Sequence, residues 1–170
     1  MKTIRLSAAV ICIGLAATAE MSAAERTYVN PRFGTTISFN DAVFTKMQPE
    51  PDNGDGASWL APDGGRLLVW GQNNVLDFTP TTLADDVAGG LDQETYRKVG
   101  SRWMVVSGYD EGEIVYHRAE FGDRDVIHSM EMRYPADLAK HYDRLASRMA
   151  DSLIVVIHLA LTAESGYPMV

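Results

Sequence analysis

Thiol chemistry is missing from almost all of this sequence. Cys12 is the single cysteine in 170 residues, and it lies inside the first apolar run. A disulfide framework is therefore excluded, and once that run is removed so are a cysteine nucleophile and a thiolate metal centre. A long apolar run is missing too. Residues 6–19 are apolar and small but end at Glu20, short of the roughly 20 residues a spanning helix needs. Excess positive charge is absent as well, with 15 Lys and Arg against 23 Asp and Glu, which disfavours binding to nucleic acid or to anionic lipid. No G-x-x-x-x-G-K loop offers a phosphate cradle, and no G-x-S-x-G elbow presents a nucleophilic serine.

What is present begins with a leader. Met1-Lys2-Thr3-Ile4-Arg5 is basic, the apolar run follows, and Ala17-Thr18-Ala19 and Ser22-Ala23-Ala24 both suit signal peptidase. Residues 1–24 are expected to be a signal peptide cleaved after Ala24, with Ala19 the second choice, and no membrane span should remain. Cys12 follows Ala9-Val10-Ile11 and lacks the small residue that lipidation wants before it. Cleavage after Ala24 removes Lys2, Arg5 and Glu20, moving the formal charge from −8 to −9. The product is an acidic, secreted domain.

Residues 25–161 have the length of one domain, and 162–170 read as a flexible tail. The pattern is α+β, with a sheet of about six or seven strands, the strands in meander order and helices inserted among them. Residues 26–30 and 35–39 are short strands around Pro31-Arg32-Phe33-Gly34; residues 57–61 and 66–72 form a hairpin across Pro62-Asp63-Gly64-Gly65. Thr81 or Thr82 should cap a helix carrying Leu83, Val87 and Leu91 on one stripe, with Asp85 and Asp86 in its first turn. Strands at 96–99 and 102–107 lead into a hairpin of residues 113–121 and 125–134. With Asp123-Arg124 as its turn, Phe121 faces Val126, Ala119 faces His128, His117 faces Met130 and Val115 faces Met132, which makes one face apolar throughout. A long amphipathic helix after Pro135 should cover that face, and residues 153–161 continue it or form a last strand.

A resemblance enters here. Tyr28-Val29-Asn30-Pro31-Arg32-Phe33-Gly34, Glu50-Pro51-Asp52-Asn53-Gly54-Asp55-Gly56, Asp63-Gly64-Gly65, Trp103-Met104-Val105-Val106-Ser107-Gly108 and Tyr134-Pro135 before the last helix resemble a group of small secreted proteobacterial proteins. That group is similar to the PsbP-like α/β/α sandwich family. The resemblance implies a central, mostly antiparallel sheet and a non-enzymatic domain that binds a protein partner in the periplasm or envelope, with no cofactor.

The residues themselves offer a few chemical candidates. Asp52, Asn53, Asp55 and Gly56 place oxygens on a glycine loop and form the candidate binding loop, although an EF-hand register would put Pro51 and Pro62 at its ends. Trp59 and Trp103 are the candidate aromatic contacts. His117 and His128, diagonal across the expected hairpin beside Met130, offer an alternative metal or small-ligand site suited to copper more than zinc. A hydrolytic use of Ser107 with a histidine and Asp110 is the remotest reading. Asp85-Asp86 and Glu111/Glu113 are explained as a helix start and a solvated turn.

Overall fold

The computed structural model describes residues 25–155. The leader, the tail and everything from Val156 onward lie outside the described residues. Ten strands and two helices occur in the order β1 (Glu25–Val29), β2 (Thr35–Asn40), β3 (Lys46–Met47), β4 (Gly56–Leu60), β5 (Arg66–Asn73), α1 (Pro80–Gly89), β6 (Gln93–Val99), β7 (Trp103–Asp110), β8 (Glu113–Phe121), β9 (Val126–Pro135), α2 (Ala139–Ser152) and β10 (Ile154–Val155). Seven strands form one antiparallel sheet in the order β3-β4-β5-β9-β8-β7-β6. The meander β6 to β9 folds back so that its last strand, not its first, joins β5, and α1 carries the chain across to the far edge. The remaining strands form a separate sheet, β1-β2-β10.

Each face of the large sheet has its own cover. On one face α1 brings Leu83 and Ala84 onto Met104, Val106, Ala119 and Ile127. On the other, α2 and the small sheet bury Ile37, Phe39, Phe44, Trp59, Met130, Met132, Tyr134 and Tyr142 together. The result is an α/β/α sandwich with two cores, which explains why the central strands carry apolar residues on both sides.

That double burial corrects the hairpin register. Phe121 pairs with Ile127, Ala119 with Ser129, His117 with Glu131 and Tyr116 with Met132, one residue from the expected alignment. The turn is a three-residue loop, with Arg124 and Asp125 at φ of 58° and 55° and the Gly122 N–H donating to Val126 O at 2.7 Å. The expected register makes one face apolar, as a sheet covered on one side alone would require. With both faces covered, the slipped register buries Met130 and Met132 under α2 and Ile127 under α1.

The helix starts also differ in detail. Thr79, not Thr81 or Thr82, caps α1, and its side chain and that of Thr82 satisfy each other's backbone N–H in a capping box. Asp85 and Asp86 therefore fall beyond the first turn, and Asp85 pairs with Arg97 instead. After Pro135 a short 3-10 turn, Ala136–Leu138, precedes α2, whose Tyr142, Leu145, Ala146, Met149 and Ala150 are buried. The helix stops at Ser152, and β10 pairs with β2.

Asn30 ties the first hairpin to the loop before β4. Its Oδ1 accepts from the N–H groups of Arg32 and Phe33 at 3.1 and 2.8 Å, and its Nδ2 donates to Gly54 O at 3.0 Å and to the Tyr28 hydroxyl at 3.2 Å. The side chain is 1% exposed, so water cannot replace these bonds. Asn30→Ala is expected to cost about 3 kcal/mol, read as a fall in melting temperature of roughly 10 °C, and Asn30→Asp is no milder, because its second oxygen would face the Gly54 carbonyl without a proton to donate.

Candidate functional site

The sequence-derived candidates do not assemble into one place. Asp52 and Asn53 are exposed on the loop, where Asn53 Nδ2 donates to Asp55 Oδ2 at 2.6 Å and Arg32 Nη1 donates to Asn53 O at 2.6 Å. The loop's polar groups thus serve its own fold. Gly56 is buried as the first residue of β4, opposite Trp70. Trp59 is 0% exposed within the core, which removes it as a surface contact. Trp103 is half-buried, with the Arg118 guanidinium 4.2 Å from its ring centroid.

The proposed metal pair is corrected by the register. His117 lies on the α1 face, paired with Glu131, while His128 lies on the α2 face with Met130, so the sheet itself separates the two rings. Each has its own structural setting. His128 Nδ1 shares a 2.8 Å hydrogen bond with Thr35 Oγ1, joining the two sheets, and burial pushes its pKa down. His117 packs edge-on against Trp70 at 5.2 Å, and its Nδ1 lies 3.7 Å from Glu131 Oε2. Burial drives its pKa down to about 4, with Glu131 opposing the shift. Among the described residues no three His, Cys, Asp or Glu side chains group as metal ligands. The hydrolytic arrangement also fails to form. Ser107 Oγ donates to Val115 O at 2.7 Å, and Asp110 accepts from Arg133 on the opposite face.

Sequence reasoning overlooked the feature that the strands do build. On the α2 face, β6, β7 and β8 place Tyr96, Ser107 and Tyr116 in one cross-strand row, and the next row carries Tyr109, Ile114 and Tyr134. Helix α2 covers the β8 and β9 end of these rows and leaves the β6 and β7 end open. A groove of about 440 Å³ results, lined by Thr95, Tyr96, Ser107, Tyr109, Ile114, Tyr116 and Tyr134 from the sheet and by Ala139, Asp143 and Ser147 from the helix.

The groove combines depth with exposed rings. Tyr134 is 1% exposed at its base, stacked on Tyr142 at 4.9 Å, whereas Tyr96 and Tyr109 at its rim are 44% and 40% exposed. The Tyr134 hydroxyl donates to Asp143 Oδ1 at 2.8 Å. Burial first, and that carboxylate second, hold the Tyr134 phenol well above its usual range, so it stays a donor. Burial also raises the Tyr116 pKa. Strands of alternating residues with tyrosine on one side were the signal available in the sequence; the wrong register at β8 and β9 hid their convergence.

A second, smaller groove of about 360 Å³ lies on the other face, where Pro49, Pro51 and Asp55 meet Leu68 and Trp70. Beside it the charges are internally matched: Arg66 pairs with Glu113, and Arg133 bonds both Asp110 and Glu131.

The chain matches no family model and no curated relative. Among solved structures it is similar to the solution structure of a cyanobacterial PsbP protein, CyanoP, from Synechocystis. The two are 13% identical, with a TM-score of 0.53 over 84% of this chain and 98% of that one. The fold is PsbP-like.

Proposed function

We propose that this PsbP-like domain is a non-enzymatic binding or adaptor protein that acts after export, in the periplasm, by holding a protein partner against the tyrosine groove. The observation that carries the reading is the groove itself. Tyrosine combines a large apolar face with a hydrogen-bonding tip at low entropic cost, which is why it is enriched where proteins meet. Exposed Tyr96 and Tyr109 stand at the rim with a firm base beneath them, so binding need not first order the site. The reactive groups that a hydrolase or a metal carrier would need are occupied in structural bonds or split between faces. The leader composition of residues 1–24 supports export.

The test is crosslinking and capture of the tagged protein from its own host, side by side with a Tyr96→Ser/Tyr109→Ser variant. Both rings are exposed, so the variant is expected to melt within a few degrees of the parent. One stoichiometric envelope protein should be captured by the parent and depleted at least about tenfold by the variant, the loss of about 1.4 kcal/mol of binding. Undiminished capture by the variant would remove the groove from the interface. The intact mass of the tagged protein itself should match a chain beginning at Glu25.

A further inference from the structure

The composition of the groove says what kind of group fits it. Ser107 stands between Tyr96 and Tyr116 in their row, and its short side chain, turned back to Val115 O, leaves a trough between the two rings. Tyr109 borders the trough from the adjoining row. Across it, Asp143 has one carboxylate oxygen engaged by Tyr134, and among the described residues it forms no ion pair. No Lys, Arg or His side chain lines the groove. Aromatic faces carry negative potential, and the exposed Asp143 carboxylate at the helix side of the trough adds to it, so the site has every component of a cation receptor except the cation.

The same sheet face shows how this chain satisfies such a ring when a cation is near. One row away, the Arg118 guanidinium lies over Trp103 at 4.2 Å and is neutralised by Glu120. Lys98 Nζ stands 6.0 Å from the Tyr96 centroid, at the outer limit of such a contact and outside the groove lining. The trough between Tyr96, Tyr109 and Tyr116 has no internal equivalent among the described residues.

We infer that the groove receives one cationic side chain, a lysine or arginine, carried on an extended segment of the protein partner. This rests on the adaptor reading above and deepens it. Two placements favour a side chain on a peptide over a free small cation. β6, which lines the groove through Thr95 and Tyr96, is an edge strand of the large sheet, so backbone N–H and C=O groups are offered alongside the trough. The chain is acidic overall, which steers a basic segment toward it.

The probe is N-acetyl-arginine methylamide, compared by NMR titration with the citrulline analogue, which replaces the guanidinium by a neutral urea of nearly the same shape. Ring signals of Tyr96, Tyr109 and Tyr116 should shift saturably with the arginine compound, with an affinity about tenfold above that of citrulline. Asp143→Asn, which keeps an oxygen for the Tyr134 hydroxyl, should erase most of that difference while leaving the melting temperature near the parent value. Equal binding of the two compounds, or no shift with either, overturns the cation assignment and leaves the capture experiment to judge the adaptor reading. Choline binding more tightly than the arginine compound overturns the side-chain source. A clean arginine preference with capture unaffected by the Tyr96→Ser/Tyr109→Ser variant would take the groove out of the partner interface, overturning the partner segment as the source of the cation while leaving the adaptor reading in place.

Discussion

Gly56→Ala is expected to be among the most damaging single substitutions in the chain, although Gly56 ends what reads in the sequence as an exposed binding loop. It is the buried first residue of β4, paired with Trp70. A Cβ there would overlap the carbonyl oxygen of Val69 and stand 2.7 Å from Trp70 Cβ and 2.9 Å from Trp70 Cα. All three atoms belong to the backbone or its immediate branch on the adjoining strand, so no flexible side chain can swing away. The β4-β5 pair must separate, and β3 hangs from β4. A loss of at least about 3 kcal/mol follows, read as a melting temperature lowered by roughly 10 °C. Gly54→Ala is the control: its φ of 62° strains a larger residue, but a Cβ there meets nothing within 4 Å, and the expected cost is about 1 kcal/mol. A Gly56→Ala protein that melts with the parent while losing its partner would make Gly56 a contact residue after all.

The elements were largely legible because their signals are local. Alternation marked β2, β5, β7, β8 and β9 to within a few residues, and the stripe through Tyr142, Leu145 and Met149 marked α2. What local signals could not carry was the number of covered faces. Val115, His117 and Ala119 pack on the α1 side while Met130, Met132 and Tyr134 pack on the α2 side, and a rule that gathers all apolar residues on one face must misalign β8 with β9 by one residue. That single slip placed His117 and His128 together when the sheet separates them. The same slip dispersed Tyr116 and Tyr134, which share a face with Tyr96 and Tyr109. The sheet to which β1 and β2 belong was not legible for a related reason: alternation shows that a strand has a buried side, but not which layer buries it. In the structure Ile37 and Phe39 of β2 pack down onto Trp59 and the α2 residues from a second sheet.

The loop motifs of the sequence acquire a different meaning once the layers are known. Asn30 and Arg32 meet Asn53-Gly54 across 24 and 21 residues of sequence, through the Asn30 bond to Gly54 O and the Arg32 bond to Asn53 O. Asp63 accepts from the Tyr142 hydroxyl at 2.5 Å, which first among its causes holds the Asp63 carboxyl below its usual range, and this bond links the β4-β5 turn to α2. These residues hold layers in place. Function therefore has to be sought where rings remain exposed over a rigid base.

Stability is expected to fall steeply between pH 6.5 and pH 4, and His117 is the principal cause. In the unfolded chain its imidazole has a pKa near 6.5, whereas burial lowers the folded value to about 4. Within that window the unfolded state takes up a proton that the folded state refuses. The native state is therefore fully stable above pH 6.5 and loses ground as pH falls, by about 2 kcal/mol at pH 5 and about 3 kcal/mol at pH 4. Three features of its surroundings set the size of the effect. Trp70 covers the ring at 5.2 Å, Nε2 has no hydrogen-bond partner among the described residues, and Glu131, the group that would favour protonation, is 3.7 Å from Nδ1 and already bonded to Arg133 at 2.9 Å. His128, lowered by burial too, adds in the same direction. His117→Phe keeps a ring against Trp70 and removes the titrating group; Glu131 keeps its Arg133 bond. Denaturant melts from pH 7.5 to 4.5 should give this variant near-parental stability at neutral pH and a decline about 2 kcal/mol smaller by pH 5. A variant whose stability falls as steeply as the parent's would place the acid sensitivity elsewhere and show that the His117 ring is not held neutral by its burial.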